Sequence, residues 1–184
     1  MKKILVVYMS ETGNTKRVAE AIADEAKETG HDVTLAPVRE VKADQFSSFD
    51  LVLVGSTCHS SDLAEPVKAL LDGIPASDGP KLAGFVTHAT WSASEDPTHR
   101  EMHEKWAGGC PKTFERVARE KGLSFEGYFN CMGAPNPGIE EFVHNTIITD
   151  EAQWAEYIEE VRKHPTEEDL KDARTFAREV LAKL

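Results

Sequence analysis

Cysteine is scarce in this chain of 184 residues, in which Cys58, Cys110 and Cys131 stand far apart and form no CxxC pair. An odd number of widely spaced cysteines cannot supply the dense disulfide framework on which small secreted domains depend. We therefore expect three free thiols and a reducing, cytoplasmic environment.

Long apolar runs and positive charge are also in short supply. The apolar run after the first three residues spans Ile4 to Met9, which is too short for a signal sequence or a membrane-spanning helix.

The 32 acidic residues outnumber the 21 basic residues, so the formal net charge is −11. A surface of this sign repels nucleic-acid phosphates and anionic lipid. It excludes nucleic acid and membrane insertion from the expected partners and favours a partner with a basic surface.

Apolar runs of strand length alternate with segments of helical period as far as residue 130, which is typical of βαβ units. Ile4–Tyr8 and Leu51–Val54 are continuously apolar, as expected for parallel strands buried on both faces. The pattern predicts an α/β fold, a three-layer sandwich in which helices cover a parallel five-stranded sheet. The other predicted strands run from Val33 to Leu35, from Leu82 to Thr87 and from Phe125 to Phe129, and the predicted helices cover residues 14–29 and the segments that begin at Pro66 and Pro111.

The pattern changes after residue 130. The proline- and glycine-rich stretch from Cys131 to Gly138 predicts a loop. Apolar residues between Trp154 and Val161 then indicate a short amphipathic helix, and a sequence that resembles a capping box at Thr166 indicates the start of the last helix. We expect one domain over residues 1–184 with an extra segment at about 131–165.

The segment Ser10-Glu11-Thr12-Gly13-Asn14-Thr15 lies between the first predicted strand and the first predicted helix. Hydroxyl groups, successive backbone N–H groups and the positive end of a helix dipole can together hold a dianion without a lysine. The glycine permits a tight turn. The other common phosphate motifs, GxxxxGK[ST] and GxGxxG, are absent. The competing interpretation is a Ser/Thr-rich helix cap without a ligand.

These six residues match the S-x-T-G-N-T phosphate loop, so the chain resembles the flavodoxin family over residues 1 to about 130 and in its final helix. The resemblance implies the strand order 2-1-3-4-5 and noncovalently bound FMN, whose ring lies between the loops after the third and fourth strands. Trp91 is then the expected aromatic residue on one ring face, with plain packing as its alternative. His59 is expected on the other face, with a solvated loop position as its alternative. The candidate cofactor-binding residues are Ser10, Glu11, Thr12, Gly13, Asn14, Thr15, Ser56, Thr57, Cys58, His59, His88, Ala89, Thr90 and Trp91.

The loop expected between Ser56 and Asp62 contains no glycine. In the flavodoxins that this chain resembles, a glycine there often lets a peptide flip towards the flavin ring. A residue with a side chain pays about 1 to 2 kcal/mol for the positive φ angle of such a flip, so we expect the flip to be disfavoured here.

Two further patterns are weaker. Cys110 and Arg116 have the C-x5-R spacing of a phosphatase loop, but Pro111 predicts a helix where that loop needs small residues. His99 and His103 are four positions apart, as metal ligands on a helix are, yet no third ligand stands at a suitable spacing. We predict neither a catalytic residue of the protein itself nor a metal site.

The leading functional hypothesis is an electron carrier between redox partner proteins, in which the chemistry belongs to the flavin. The alternative is an NAD(P)H-dependent quinone or flavin reductase on the same fold, with the extra segment forming the substrate pocket. A third hypothesis is an interaction module that has lost its flavin, against which the intact loop argues. The oligomeric state stays open.

Overall fold

The computed structural model describes residues 1–76 and 79–184. Its strands are β1 (Lys3–Tyr8), β2 (Asp32–Pro37), β3 (Leu51–His59), β4 (Asp62–Leu63), β5 (Lys81–His88) and β6 (Phe125–Met132). Its α-helices are α1 (Asn14–Glu28), α2 (Glu65–Asp72), α3 (Pro97–Ala107), α4 (Gly109–Lys121), α5 (Pro137–Thr146), α6 (Glu151–Val161) and α7 (Glu167–Leu181), and two 3-10 turns cover Val38–Glu40 and Ala43–Ser48.

The sheet has the order β2-β1-β3-β5-β6, and all four neighbouring pairs along this path are parallel. The predicted five-stranded order is therefore confirmed, with β4 as an addition that pairs antiparallel with the end of β3. Because the long strands are parallel, their carboxyl ends meet at one edge of the sheet.

Each face of the sheet carries its own apolar layer, because alternate side chains of a strand point to opposite faces. Ile4 and Val6 pack with α1 and α7, whereas Leu5 and Val7 pack with α2 and α4. Side chains of all four residues are essentially inaccessible to solvent. This arrangement confirms the three-layer sandwich.

The segment after the third strand is a hairpin rather than the predicted loop. Strand β3 continues to His59 because Gly55, Ser56 and Thr57 pair with Phe85, Val86 and Thr87 of β5. The turn then uses Ser60 (φ 50°) and Ser61 (φ 65°). Both serines therefore adopt the left-handed conformation despite its cost for residues with a side chain, and the disfavoured peptide flip beside the flavin stays a prediction. A Cβ at Gly55 would lie 2.2 Å from the Phe85 ring, so the glycine is required for this close packing.

The loop predicted from Cys131 to Gly138 is shorter than expected. Cys131 and Met132 continue β6 by pairing with Thr87 and His88. Pro137 begins α5, because Asn136 Oδ1 accepts the Ile139 N–H (3.0 Å) and proline suits the first helical turn. Residues 133–136 are therefore the connection between β6 and α5.

Helix boundaries elsewhere follow their caps. Asp150 caps α6 by accepting the Gln153 N–H at 2.9 Å, and Thr166 caps α7 in a reciprocal capping box with Asp169, as predicted. The helix expected from Pro111 begins two residues earlier, at Gly109, directly after α3. Helix α3 lacks a clear apolar period and was not predicted.

Helices α5 and α6 form a third apolar cluster against the carboxyl edge of the sheet. Its buried members are Met132, Val143, Ile148, Tyr157 and Val161. Tyr157 donates its hydroxyl hydrogen to the Ala89 carbonyl, which attaches α6 to the chain that follows β5. Within residues 1–76 and 79–184, no helix is long and apolar enough to cross a membrane.

Candidate functional site

The loop from Ser10 to Thr15 ends at the N-terminus of α1. Gly13 precedes the helix with φ 92°, a left-handed conformation that glycine adopts at little cost. The first helical hydrogen bond runs from the Arg17 N–H to the Gly13 carbonyl at 3.0 Å. The amides of Asn14, Thr15 and Lys16 precede that bond, so they remain as donors at the helix N-terminus.

Helix α1 begins differently from four of the later helices, whereas α2 and α4 also lack a side-chain cap. Helices α3, α5, α6 and α7 each begin with a side-chain oxygen as a cap, which comes from Asp96, Asn136, Asp150 and Thr166, respectively. Helix α1 has no side-chain cap and no acidic residue in its first turn. The positive end of its dipole is therefore not balanced by a residue of its own first turn, which favours an external anion.

Of the three hydroxyl groups in the loop, on Ser10, Thr12 and Thr15, the first two are free to donate a hydrogen bond to a ligand. Ser10 Oγ accepts a hydrogen bond from the Gly13 backbone N–H (3.1 Å). Thr12 Oγ1 accepts one from the side-chain amide of Asn14 (2.9 Å). Each hydroxyl therefore keeps its own hydrogen to donate. Thr15 is fully buried, and its Oγ1 lies 2.8 Å from Thr87 Oγ1. Thr15 therefore fastens the loop to β5.

A cleft with a volume of about 100 Å³ opens between this loop and the carboxyl ends of β3, β5 and β6. Asn14 crosses one side of it, where its amide donates to the Ala134 carbonyl at 2.7 Å. The cleft is lined by Glu11, Thr12, Asn14, Thr57, Cys58, His59, Thr87, His88, Ala89, Gly133, Ala134, Pro135, Asn136 and Ile139.

The cleft brings together most of the predicted cofactor-binding residues from three separate loops. Sequence reasoning missed the residues from Gly133 to Asn136, and the available signal was their position directly after a strand that ends at the same edge. Ser10 and Gly13 line a neighbouring groove together with Lys16, and Glu11 lines both the groove and the cleft.

His59 and Glu11 form the rim of the cleft. His59 Nε2 lies 3.6 Å from Glu11 Oε1, and the two side chains are 46% and 43% exposed.

Besides Ser10, Gly13 and Thr15, three more predicted site residues do not line the cleft. Ser56 is buried, donates to the Thr57 carbonyl at 2.7 Å and accepts the Ala64 N–H at 2.9 Å, so it holds the chain ahead of α2. Thr90 and Trp91 belong to the wall of a neighbouring cavity. Trp91 stacks on His99, with ring centroids 4.3 Å apart and planes 12° apart, and meets Tyr157 edge-on. The role of Trp91 as a flavin stacker stays a prediction.

This neighbouring cavity has a volume of about 170 Å³ and lies between the chain after β5 and helices α3, α5 and α6. Cys58, His88, Ala89 and Ile139 line both the cavity and the cleft. The rest of its wall is mainly apolar and aromatic, with Trp91, Met102, Trp106, Phe142, Val143, Ile147, Ile148 and Tyr157.

Two polar atoms in the cavity wall are buried without a hydrogen-bond partner among the described residues. They are Thr90 Oγ1 and Trp106 Nε1. A buried polar group without a partner costs about 1 to 3 kcal/mol. A carbonyl-bearing ligand would offset this cost.

His88 separates the cleft from the cavity. It is 3% exposed, its Nδ1 lies 3.2 Å from the Thr90 carbonyl, and its Nε2 lies 2.9 Å from Asn130 Oδ1. Burial lowers the pKa of His88 to about 4, despite a smaller opposing contribution from Asn130. His88 is therefore neutral at pH 7. His103 meets it edge-on at 4.9 Å.

Neither of the weaker sequence patterns gains support. Cys110 and Arg116 both lie within α4, so no loop wraps around the Cys110 thiol as a phosphatase requires. In the part of the chain that the structure describes, no group of three or more His, Cys, Asp or Glu side chains is arranged to hold a metal ion.

Comparison with known proteins gives consistent results. The family model for the flavodoxin domain matches residues 5–178. A flavodoxin of Clostridium beijerinckii is 35% identical over 109 residues, which span 57% of this chain and 77% of that protein. The flavodoxin-like domain-containing protein BilS of Clostridioides difficile is 26% identical over 187 residues, which span 98% and 97% of the two chains.

Solved structures agree with the fold. The crystal structure of oxidised flavodoxin 1 from Bacillus cereus matches with a TM-score of 0.66 at 18% identity and covers 99% of both chains. The match of the family model over nearly the whole sequence extends from β1 into α7. The chain therefore belongs to the flavodoxin family, whose proteins bind FMN as their cofactor.

Proposed function

We propose that this protein carries electrons between redox partner proteins, with FMN held at the carboxyl edge of its sheet. The observation that carries this proposal is the uncapped N-terminus of α1. A phosphate dianion suits a helix end with free amides, the open hydroxyls of Ser10 and Thr12, and no acidic residue in the first turn. FMN supplies one- and two-electron redox chemistry when it is bound.

The protein's own residues bind and orient the cofactor. Ser10, Thr12 and the first amides of α1 hold the phosphate, and the cleft provides the space next to the loop. His59 and Glu11 set the charge at the cleft entrance. Because His88 is neutral at pH 7, it adds no positive charge behind the cleft. The three free thiols fit a reducing cytoplasm.

Acidic residues favour a basic partner near the cleft. From residue 139 to the C-terminus, 12 acidic residues face 6 basic ones, which accounts for 6 of the 11 net negative charges. On α6, Glu151, Glu156 and Glu159 are exposed. A positively charged partner would be steered towards this side of the molecule.

Anaerobic reduction tests the carrier function. The FMN-loaded protein is mixed with NADH or NADPH, with and without a flavodoxin reductase, and the flavin absorbance is followed. A carrier stays oxidised with either nucleotide alone and is reduced when the reductase is present. Direct bleaching at catalytic rates would contradict the proposal.

Salt dependence tests the charge argument separately. The rate of reduction by a basic reductase is expected to fall steeply as salt rises beyond about 0.15 M, where charges are screened within about 8 Å. A rate that does not change between low and high salt would show that the acidic surface does not steer the partner.

A quinone or flavin reductase is the second candidate, and the apolar cavity is the observation that favours it. Thr90 and Trp106 each have a donor without a partner in its wall, which suits the carbonyl oxygens of a flat apolar substrate. This function predicts NAD(P)H oxidation that is accelerated by quinones. It also predicts that Thr90→Val raises the KM for the quinone while the FMN affinity stays the same.

A further inference from the structure

Two cysteines that are 52 positions apart in the sequence lie side by side at the wall shared by the cleft and the apolar cavity. The Cys110 thiol lies 3.4 Å from Cys58 Sγ and donates its hydrogen to it. The Cys58 thiol in turn donates to the Trp106 carbonyl at 3.2 Å. Neither thiol takes part in a disulfide.

Rigid elements hold the two thiols in place. Cys58 lies in the part of β3 that pairs with β4, and Cys110 lies in the first turn of α4. A Cβ at Gly109 would lie 2.0 Å from the Ser61 carbonyl oxygen, so the glycine is what permits α4 to approach the hairpin this closely.

Hydrogen bonds fasten the same contact on both sides of the thiols. The Gly109 N–H donates to Ser61 Oγ at 3.2 Å, and Thr113 Oγ1 donates to Asp62 Oδ1 at 2.6 Å. The sulfur atoms would have to approach each other by about 1.4 Å to reach the length of a disulfide bond, which is about 2 Å.

The two thiols differ in access and acidity. Cys110 is fully buried, whereas Cys58 is partly exposed and lines both cavities. The hydrogen bond from Cys110 stabilises the Cys58 thiolate, so the pKa of Cys58 is lowered. The same contact, together with burial, raises the pKa of Cys110. A reagent that enters the cleft therefore meets the more reactive thiol first.

We propose that Cys58 and Cys110 form a reactive thiol pair that is converted to an intramolecular disulfide by low-molecular-weight disulfides, with Cys58 attacking and Cys110 resolving. In the first step Cys58 Sγ attacks one sulfur of the small disulfide, and the released thiolate takes up the proton that Cys58 gave up. In the second step Cys110 Sγ attacks Cys58 Sγ, and the second small thiol leaves with the Cys110 proton. The two cysteines lose two electrons in total, and one small disulfide becomes two small thiols.

The bond would join the β3–β4 hairpin to α4. Because Cys58 belongs to the wall of both the cleft and the cavity, the oxidised form would fix that wall in one position. Oxidation of the pair does not depend on the proposed carrier function.

Intact mass measurement tests the proposal. The FMN-loaded protein is incubated with oxidised glutathione, then unfolded and treated with N-ethylmaleimide. With three cysteines in the chain, the expected product carries one maleimide, on Cys131, and no glutathione. Treatment with dithiothreitol before unfolding should restore three maleimides. Three maleimides without the reductant, or a bond that involves Cys131, would overturn the proposal.

Single substitutions test the order of the two steps. In Cys110→Ser the resolving thiol is missing, so a stable glutathione adduct is expected on Cys58. In Cys58→Ser the remaining Cys110 is buried, so two maleimides and no adduct are expected. Cys131→Ser is the matched control and should form the disulfide as the wild type does. A stable adduct on Cys110 in Cys58→Ser would show that the assigned order is wrong. If a variant fails to fold, the wild type and Cys131→Ser still decide the proposal.

Discussion

The two walls of the cleft are built in different ways. The wall at the N-terminus of α1 consists of six consecutive residues, and hydrogen bonds within the loop, such as Gly13 N–H to Ser10 Oγ, shape its turn. The opposite wall is held by contacts of its residues Ala89 and Cys58 with residues far away in the sequence, Tyr157 and Cys110. The first wall depends on local geometry and the second on packing between helices, so substitutions in the two walls should have different consequences.

The largest decrease in the free energy of unfolding is expected from a substitution in the wall that depends on packing between helices. Tyr157 is 1% exposed, contacts Trp91 and Trp154, and donates to the Ala89 carbonyl. Tyr157→Ala should lower the free energy of unfolding by about 3 to 5 kcal/mol, as measured by urea denaturation. Tyr157→Phe, which keeps the ring, should cost about 1 kcal/mol. A cost below 1 kcal/mol for the alanine variant would show that α6 is not packed as part of the cooperative unit.

His88 gives the packed wall a dependence on pH. Its pKa is about 4 in the folded protein against 6.5 in the unfolded chain, so protons bind the unfolded state more readily. The neutral imidazole contributes its full stability above pH 6.5, and this contribution is lost as the pH falls from about 6.5 towards about 4. Between pH 7 and pH 5 the loss should be about 2 kcal/mol.

The variant His88→Gln isolates this contribution from other titrating groups. Urea denaturation of both proteins at pH 7 and pH 5 should show a smaller decrease in stability for the variant. Equal decreases would mean that the His88 pKa is not lowered.

The contact between the two sides of the cleft should have a moderate effect. Asn14→Ala removes the hydrogen bonds to Thr12 and to the Ala134 carbonyl. It should reduce the free energy of unfolding by about 1 kcal/mol and weaken FMN binding several-fold. Asn145, which is exposed on α5, provides the matched control Asn145→Ala, and an equal effect of both substitutions would contradict the role of Asn14.

The smallest change in the free energy of unfolding is expected from a substitution in the turn between β3 and β4. Ser60 has φ 50°, which costs a residue with a side chain about 1 kcal/mol relative to glycine. Ser60→Gly should therefore raise the unfolding free energy by up to about 1 kcal/mol, measured by urea denaturation. Ser92→Gly, at an exposed position in the loop after β5, is the control and should not stabilise the protein. A destabilised Ser60→Gly would contradict the strain at this turn.

The difference between the walls also explains what could be predicted from the sequence. The central strands, the turn from β1 into α1 and the capped start of α7 follow from signals within a few residues, such as the apolar run Ile4–Tyr8 and the pair Thr166 and Asp169. Local hydrogen bonding and burial on both faces decide these elements. They were predicted correctly for that reason.

The errors occur where distant contacts decide the local conformation. The polar segment that ends at His59 is typical of a loop, but hydrogen bonds to β5 and β4 keep it in a strand. The role of Trp91 stays a prediction, but its contacts with His99 and Tyr157 are likewise ones that no local pattern indicates. Likewise, nothing in the spacing of Cys58 and Cys110 indicates that their thiols meet.

The most direct test of the phosphate site is the comparison of FMN with riboflavin, which lacks the phosphate. Two charge-assisted hydrogen bonds of about 1.5 kcal/mol or more predict that FMN binds at least about a hundredfold more tightly. Thr12→Ala should weaken FMN about tenfold and leave riboflavin unchanged, whereas Thr175→Ala, at an exposed position on α7, should change neither affinity. The affinities for FMN and for riboflavin are both measured by quenching of flavin fluorescence. Equal affinities for FMN and riboflavin in the wild type would contradict the account.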